Sequence, residues 1–521
     1  MKRLVIAIVV LLITTVKLSA QEDDFDLDSL LETIEEPKTL IKLKGEHYFQ
    51  YHFPLKGGSY DTFIKAPKFI NEFKLQVFHR NIEVVSEWEL RGVMDKSGEW
   101  GKLSDYKIGK NYIKWNKEKF NLAFGYQVYK WGVADEFNPT NNLNPKNYEK
   151  GYESEEIPIL SVSGKYYPNE NTSVEAVFIP FEQNDEYFFS YADEVPSAMF
   201  GKYSYKNIPS GSAPQFLVNN SDKNVNVKNL EYNPKSVIAG IKANYYSNSF
   251  DFSVSYVYDV DPYYSPEIKL EKYSLEAGNS SMLQSAYKTA EINLVRNRIH
   301  RLGFDIKTIY DKYGIWTEVC YSFTNDKNRL EYKKRKNELS IVTGLDFRYG
   351  PNDRFYINLQ YTGRLVKDYY SGFFSDYSNG LPDTDFINDH SYMEKYFYRG
   401  LVQNLRMQSE KYLQGILAQF EWSFYDETIK PVLNVYYTLP GGYDENEKKR
   451  YGSLLLNPEL EYDNGEAFKI QLGANLAYSW YKDKISGEIK SNDRADLIGY
   501  LNPFNNIYLK VSYEWNFNSE K

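Results

Sequence analysis

Side chains able to do covalent chemistry are few in this chain. Five histidines (His47, His52, His79, His300 and His390) and one cysteine, Cys320, are scattered through 521 residues. No glycine-rich phosphate loop, zinc-ligand spacing or full-length calcium loop accompanies them, so neither a metal nor a cofactor is expected. A lipid hydrolase would need a serine, a histidine and an asparagine on one face. His47 and Ser86 fall on the apolar phase of their segments, and two polar side chains there serve equally well as spacers at a membrane interface. The expectation is that the protein is not an enzyme.

Ionic chemistry is better represented. Charged residues recur opposite apolar ones at alternate positions: Glu87, Glu89 and Arg91; Lys165; Lys242; Arg301 and Lys307; Asp346 and Arg348; Arg364; Glu421; Lys469. Side chains two residues apart share one face of a strand, so these charges are expected to line the inside of a closed sheet. Both signs are present. They form either charge rings that set selectivity in a conduit or ion pairs that brace its wall.

The stretch "GYQVYKWGVADEFNPTNNLNPKNYEKG" is the third constellation. Two Asn-Pro pairs, Asn138 with Pro139 and Asn144 with Pro145, force successive turns, because a residue before proline is held extended. Trp131, Phe137 and Leu143 offer apolar anchors, and Asp135 and Lys146 offer charges. Such a loop loses little entropy on ordering. It is expected either to fold against the inner wall and narrow a passage or to act as a folding staple.

This stretch resembles a widespread family of uncharacterised outer-membrane β-barrels of porin-like, alginate-export-type architecture. Gln127, Val128, Trp131, Gly132, Asp135, Asn138, Pro139, Asn144, Pro145 and Lys146 follow the family's layout, and Asn147 stands where an acidic residue is usual. The resemblance implies an eighteen-strand barrel in the outer membrane. It also implies movement of hydrophobic or lipid-like molecules, with a periplasmic or inner-membrane exporter as partner.

Elements that could position these residues are legible from residue 40 onward. Sets such as Phe120, Leu122, Phe124, Tyr126 and Val128, or Ile315, Thr317, Val319, Tyr321 and Phe323, have polar neighbours between their members, the period of a strand with one apolar face. Eighteen such segments are expected, starting near 40, 72, 82, 105, 119, 158, 172, 236, 250, 300, 314, 337, 354, 412, 430, 453, 467 and 507, with sixteen strands as the alternative. Short connections rich in Gly, Asn, Asp and Pro alternate with long ones, a pattern that suits a membrane barrel better than a soluble sandwich. The fold class is therefore all-β, a transmembrane antiparallel β-barrel with short periplasmic turns and long extracellular loops. The final stretch, "NIYLKVSYEWNF", reads as its closing strand, with Tyr513, Trp515 and Phe517 on the lipid face as a signal for the barrel-assembly machinery.

Composition agrees. Aromatic residues make up 17% of the chain, with 49 Tyr, 31 Phe and 8 Trp, yet mean hydropathy is −0.59. Half-apolar strands with aromatic girdles produce that combination. Lys2 and Arg3 precede the apolar run Leu4 to Val16, which reads as a signal peptide over residues 1–20 and is too short to span a bilayer. Residues 21–39 form an acidic periplasmic segment, and residues 40–521 the outer-membrane barrel. The net charge is −9; three basic residues in 1–20 leave −12 for the rest, of which eight acidic residues in 21–37 leave about −4 for the body. A balanced body excludes a nucleic-acid partner, which would need a basic patch. The function expected is a channel or transport conduit in contact with outer-membrane lipid. The alternative is a surface-exposed structural or adhesin barrel with a packed lumen.

Overall fold

The computed structural model describes residues 39–55, 66–94, 98–100, 105–134, 137–148, 154–187, 225–227, 236–263, 265–274, 285–325, 335–367, 408, 411–441, 448–483, 487–491 and 497–519. The expected signal peptide, the acidic segment up to residue 38 and Asp135 lie outside them.

Eighteen strands form the wall: β1 (Leu40–Pro54), β2 (Lys68–His79), β3 (Ile82–Val93), β4 (Asp105–Lys117), β5 (Phe120–Gln127), β6 (Ile159–Asn169), β7 (Thr172–Ile179), β8 (Ile238–Tyr246), β9 (Phe250–Val260), β10 (Arg298–Tyr310), β11 (Tyr313–Phe323), β12 (Glu338–Tyr349), β13 (Phe355–Val366), β14 (Tyr412–Trp422), β15 (Ile429–Thr438), β16 (Lys448–Asp463), β17 (Phe468–Asp483) and β18 (Asn506–Asn518). Each pairs antiparallel with its predecessor, and β18 pairs with β1 from Lys42 with Asn518 to Pro54 with Asn506. The ring is closed. In hydrocarbon no backbone group can be left to water, so closure is what lets a sheet of half-apolar strands span a bilayer. Among the described residues no helix is long and apolar enough to cross a membrane.

Side-chain pattern fixes the two faces. Along β5, Phe124 is 60% exposed while Ala123 beside it is 7% exposed. Large apolar residues look outward and small or polar ones inward, because lipid rewards one face and a crowded polar interior the other. Outward aromatics gather toward both ends of the strands. Tyr256, Tyr258, His300 and Phe323 sit near the long connections, with the His300 and Phe323 rings stacked at 4.9 Å. Tyr313 and Phe347, 5.4 Å apart, sit near the short ones.

Strand starts fall within a few residues of the sequence expectation, with β2 and β16 beginning earlier, at Lys68 and Lys448. Asn71 interrupts the alternation of β2 on the outward face, yet it is tied to His47 Nδ1 at 2.7 Å and the strand continues through it. The pairing of β3 with β4 shifts by one residue between Ser86 and Trp88, a bulge that moves the outward phase of β4 from Tyr106 and Ile108 to Ile113 and Trp115.

Candidate functional site

The connection from β5 to β6 does not leave the barrel. Regular pairing stops at Gln127, one residue short of Val128 at the end of the alternating set, and Asn144 takes over as the partner. Its Oδ1 accepts from the Tyr129 N–H at 2.7 Å, while its Nδ2 donates to the carbonyls of Gln127 and Ile157 at 3.0 and 2.8 Å. An amide with both polarities can stand in for a strand edge, which aspartate could not do. Gln127 is bridged to Ser161 and Ser163, both at 3.0 Å.

Beyond this anchor the chain turns inward. Gly132 has φ +104°, and a Cβ there would lie 2.3 Å from Asn138 Oδ1, so glycine is required on both counts. Asn138 Oδ1 accepts from the Asn141 N–H at 2.9 Å, and its Nδ2 donates to the Ala134 carbonyl at 3.2 Å. The first Asn-Pro pair thereby becomes a side-chain-stapled turn. Trp131 and Leu143, both 2% exposed, pack with Ile159, Val177, Ile179 and Val257 against the inner wall, and Trp131 Nε1 donates to Glu175 at 3.2 Å.

Glu318 on β11 is the far attachment. Its Oε1 accepts from the N–H groups of Val133 and Ala134, the latter at 2.5 Å. Its Oε2 accepts from the Thr140 hydroxyl at 2.9 Å and the Thr140 N–H at 3.4 Å. One carboxylate thus gathers two separate turns of the loop. Phe137 then reaches Tyr436 on β15, with ring centroids 4.6 Å apart. That strand is ten places from β5 in a ring of eighteen, close to diametrically opposite, so the loop spans the lumen. Tyr436 also packs against a second inward segment, where Ile498 and Leu501 of a short helix lie on Ala477.

Beside the loop lies a polar cavity of about 260 Å³. Arg296, Arg301, Arg335 and Arg364 line it together with Asp185, Asp259 and Glu338. Arg301 pairs with Asp259 at 3.1 Å and donates to Asn142 Oδ1 at 2.7 Å. Arg335 pairs with Asp261 at 3.3 Å and Glu338 at 3.0 Å, and Arg364 approaches Glu338 at 3.8 Å. Arg296 pairs with Glu182, whose carboxyl burial pushes up to about 7 against the pull of Arg296. Cys320 lies under this loop, buried, with Asn142 Nδ2 at 3.8 Å from its sulfur.

The other charged positions sit on the same inward rows. Glu87 pairs with Lys74 and Lys110 at 3.0 and 3.6 Å, and Arg91 with Glu89. Lys242 pairs with Asp305 at 3.6 Å, and Lys469 with Glu461 and Asp463 at 3.7 and 3.3 Å. Lys165 lies over the Tyr167 ring at 5.4 Å and Arg348 over Tyr356 at 5.2 Å, while Asp346 accepts from the Tyr356 hydroxyl. Lys307 is in register with the inward Trp316, and Glu421 with Tyr356 and Val432. The Lys146 N–H donates to Asp185 at 2.8 Å, and Pro139 and Pro145 line the cavity.

Ser86 and His47 do not meet. Ser86 is in register with Leu75, His47 with Asn71, a separation along the strands of about 13 Å at the ordinary rise per residue. Sequence reasoning missed Thr140, Asn141, Asn142, Asp259, Asp261, Arg296, Arg335 and Glu338. The run of asparagines between the two prolines was the available signal for the first three. Asp259 and Glu338 sit at the ends of β9 and β12, and Asp261, Arg296 and Arg335 lie in the connections beyond the strands, where no period marks an inward side.

At the C-terminus, Tyr513 and Phe517 face outward, and Phe517 is in register with Leu43. Trp515 lies over Gly45, where a Cβ would come within 2.4 Å of its ring, and donates to His47 Nε2 at 2.9 Å.

No protein-family model and no curated protein matches the chain. Solved structures of similar outline include Pseudomonas aeruginosa OccK2 (OpdF), 8% identical over 93% of this chain and 98% of that one with a TM-score of 0.47. OccK5 (OpdH) of the same organism is 9% identical over 92% and 98%, TM-score 0.46, and Acinetobacter baumannii OccAB1 is 9% identical over 92% and 97%, TM-score 0.45. At this distance they add nothing to the architecture that strand pairing itself establishes.

Proposed function

We propose that the chain is an outer-membrane channel, a porin-like conduit whose passage is set by the loop from Tyr129 to Tyr148. The observation that carries this reading is the loop's path from β5, held by Glu318 on β11 and meeting Tyr436 on β15, across the lumen from β5. A preorganised element across a polar lumen is how a wide barrel acquires a defined aperture. Charged and amide groups around the cavity favour a small hydrophilic solute over the lipid-like cargo implied by the resemblance, and the reading requires no exporter partner. Tyr513, Trp515 and Phe517 serve recognition by the assembly machinery.

Purified protein in a planar bilayer tests this. Wild type should show discrete single-channel steps, and removal of residues 134–149 should raise conductance several-fold in a barrel that still folds. Silence from both folded proteins would favour a packed-lumen structural or adhesin barrel, in which the inward segments are plugs. Loss of the barrel on deletion would make the loop a folding staple.

A further inference from the structure

A groove of about 550 Å³ marks the outward face across β13 to β18. Its floor is a defect in the wall. Phe420, Leu433 and Pro458 follow one another in register across β14, β15 and β16, and Ala474 is in register with Ile507 across β17 and β18. The neighbouring row runs through Phe355, Trp422, Pro431, Leu460 and Leu472. Pro431, Pro458 and Ala474 are short where the flanking positions carry long apolar or aromatic side chains, so a hollow opens between Phe420 and Trp422 on one side and Leu472 and Ile507 on the other.

The backbone is weakened at the same place. Leu456 pairs with Leu476 and Glu459 with Gly473, but Asn457 and Pro458 are left out of the ladder. Proline has no N–H to donate, and interior strands ordinarily exclude it. On the lumen side the gap is bridged by Asn457 Nδ2 donating to Asn475 Oδ1 at 2.8 Å. The wall is therefore closed inward and hollow outward.

We infer that this groove binds one acyl chain of a membrane lipid. The lining side chains that face outward are all apolar; Glu421 and Glu459 belong to the opposite, inward rows, where Glu459 accepts from Gln471 at 3.0 Å. A charged headgroup finds no partner there. The volume lies within the range of roughly 300–1,000 Å³ typical of small-ligand sites. The groove is continuous with exposed Trp422, Leu460 and Leu472 of the lipid-facing belt, so acyl chains already reach its rim. A second copy of the barrel would offer a convex wall to this hollow and leave it unfilled. Proline and alanine at the floor, rather than a flexible side chain, keep the hollow open at no entropic cost.

The test is native mass spectrometry of the full chain extracted in mild detergent. Wild type should keep one phospholipid-mass adduct, indifferent to headgroup, after the remaining lipid is stripped. Ala474→Phe fills the hollow and should lower adduct occupancy at least tenfold, while Val254→Phe on the lipid face of β9 should leave it unchanged. Folding is checked by heat-dependent electrophoretic mobility, and Ala474→Leu replaces the first variant if that one fails to fold. The inference is overturned by a wild type without adduct, by equal adduct in the groove variant, or by retention restricted to one headgroup. A wild-type dimer that the groove variant splits would equally overturn it and assign the groove to a second copy.

Discussion

Glu318 holds two turns of the loop through both carboxylate oxygens, at Val133, Ala134 and Thr140. Hydrogen bonds to a charged acceptor contribute about 1.5–3 kcal/mol each. Glu318→Gln turns one acceptor into a donor facing other donors, and should cost about 2 kcal/mol or more of loop docking. The expected readout is noisier, larger single-channel current with unchanged barrel mobility on gels; an unaltered current trace would mean that the carboxylate is not the latch. Gly132→Ala combines a left-handed φ with a clash at Asn138 and should loosen the same loop by about 1–3 kcal/mol. Cys320 reports on that docking directly. Its sulfur is on the inward face yet covered by Asn142, so a small water-soluble thiol reagent should modify it slowly in wild type and at least tenfold faster once residues 134–149 are removed. Equal rates would place the thiol outside the cover of the loop.

At the scale of elements, the closing strand does not end at Phe517. The Ser519 N–H donates to the Ile41 carbonyl at 3.0 Å and the Ser519 hydroxyl accepts from the Ile41 N–H at 3.0 Å. Truncation after Phe517 should therefore lower the melting temperature slightly while allowing insertion, whereas Phe517→Asp, which puts a charge on the lipid face, should block insertion; like insertion yields for both would remove the assembly role of Phe517. The connection beyond β7 carries a pH-dependent cost. Glu182 titrates near 7 when folded against 4.5 ordinarily, so the folded state binds its proton more tightly. Its cost is absent below about pH 4.5, grows from there to about 7 and is complete above. Glu182→Gln should flatten thermal stability over that window, and a slope identical to wild type would show that another group titrates there. Strands were legible from sequence because a period of two survives in any half-buried wall, as in Phe120 to Gln127. The loop's path was not, since its partners Glu175, Glu318 and Tyr436 lie on strands that only closure brings opposite it. Asn71 and Pro458 show the limit from the other side, each breaking a local rule that a neighbouring strand accommodates, through His47 at the first and Asn475 at the second.

For the whole molecule, the inner wall holds charges of both signs in contact rather than in separate rings. Arg301 with Asp259, Lys242 with Asp305, Lys510 with Glu46 and Lys469 with Glu461 are all within 4 Å. Paired in this way, opposite charges cancel at distances beyond a Debye length of about 8 Å at physiological salt, so a wide-open barrel of this sequence should be weakly ion-selective. Selectivity then depends on which pairs border the aperture. Lys242 and Asp305 are both buried inward, on strands adjoining the loop's anchor cluster, and removing one partner of a buried pair leaves the other uncompensated. Asp305→Asn preserves the hydrogen bond from Ser253 while exposing the Lys242 charge to the passage. The reversal potential across a KCl gradient should shift toward anions by at least a few millivolts, and Lys242→Met in the same background should return it to the wild-type value. A shift that survives the second substitution would trace the effect to altered packing and not to charge, and no shift at all would place this pair off the conducting path.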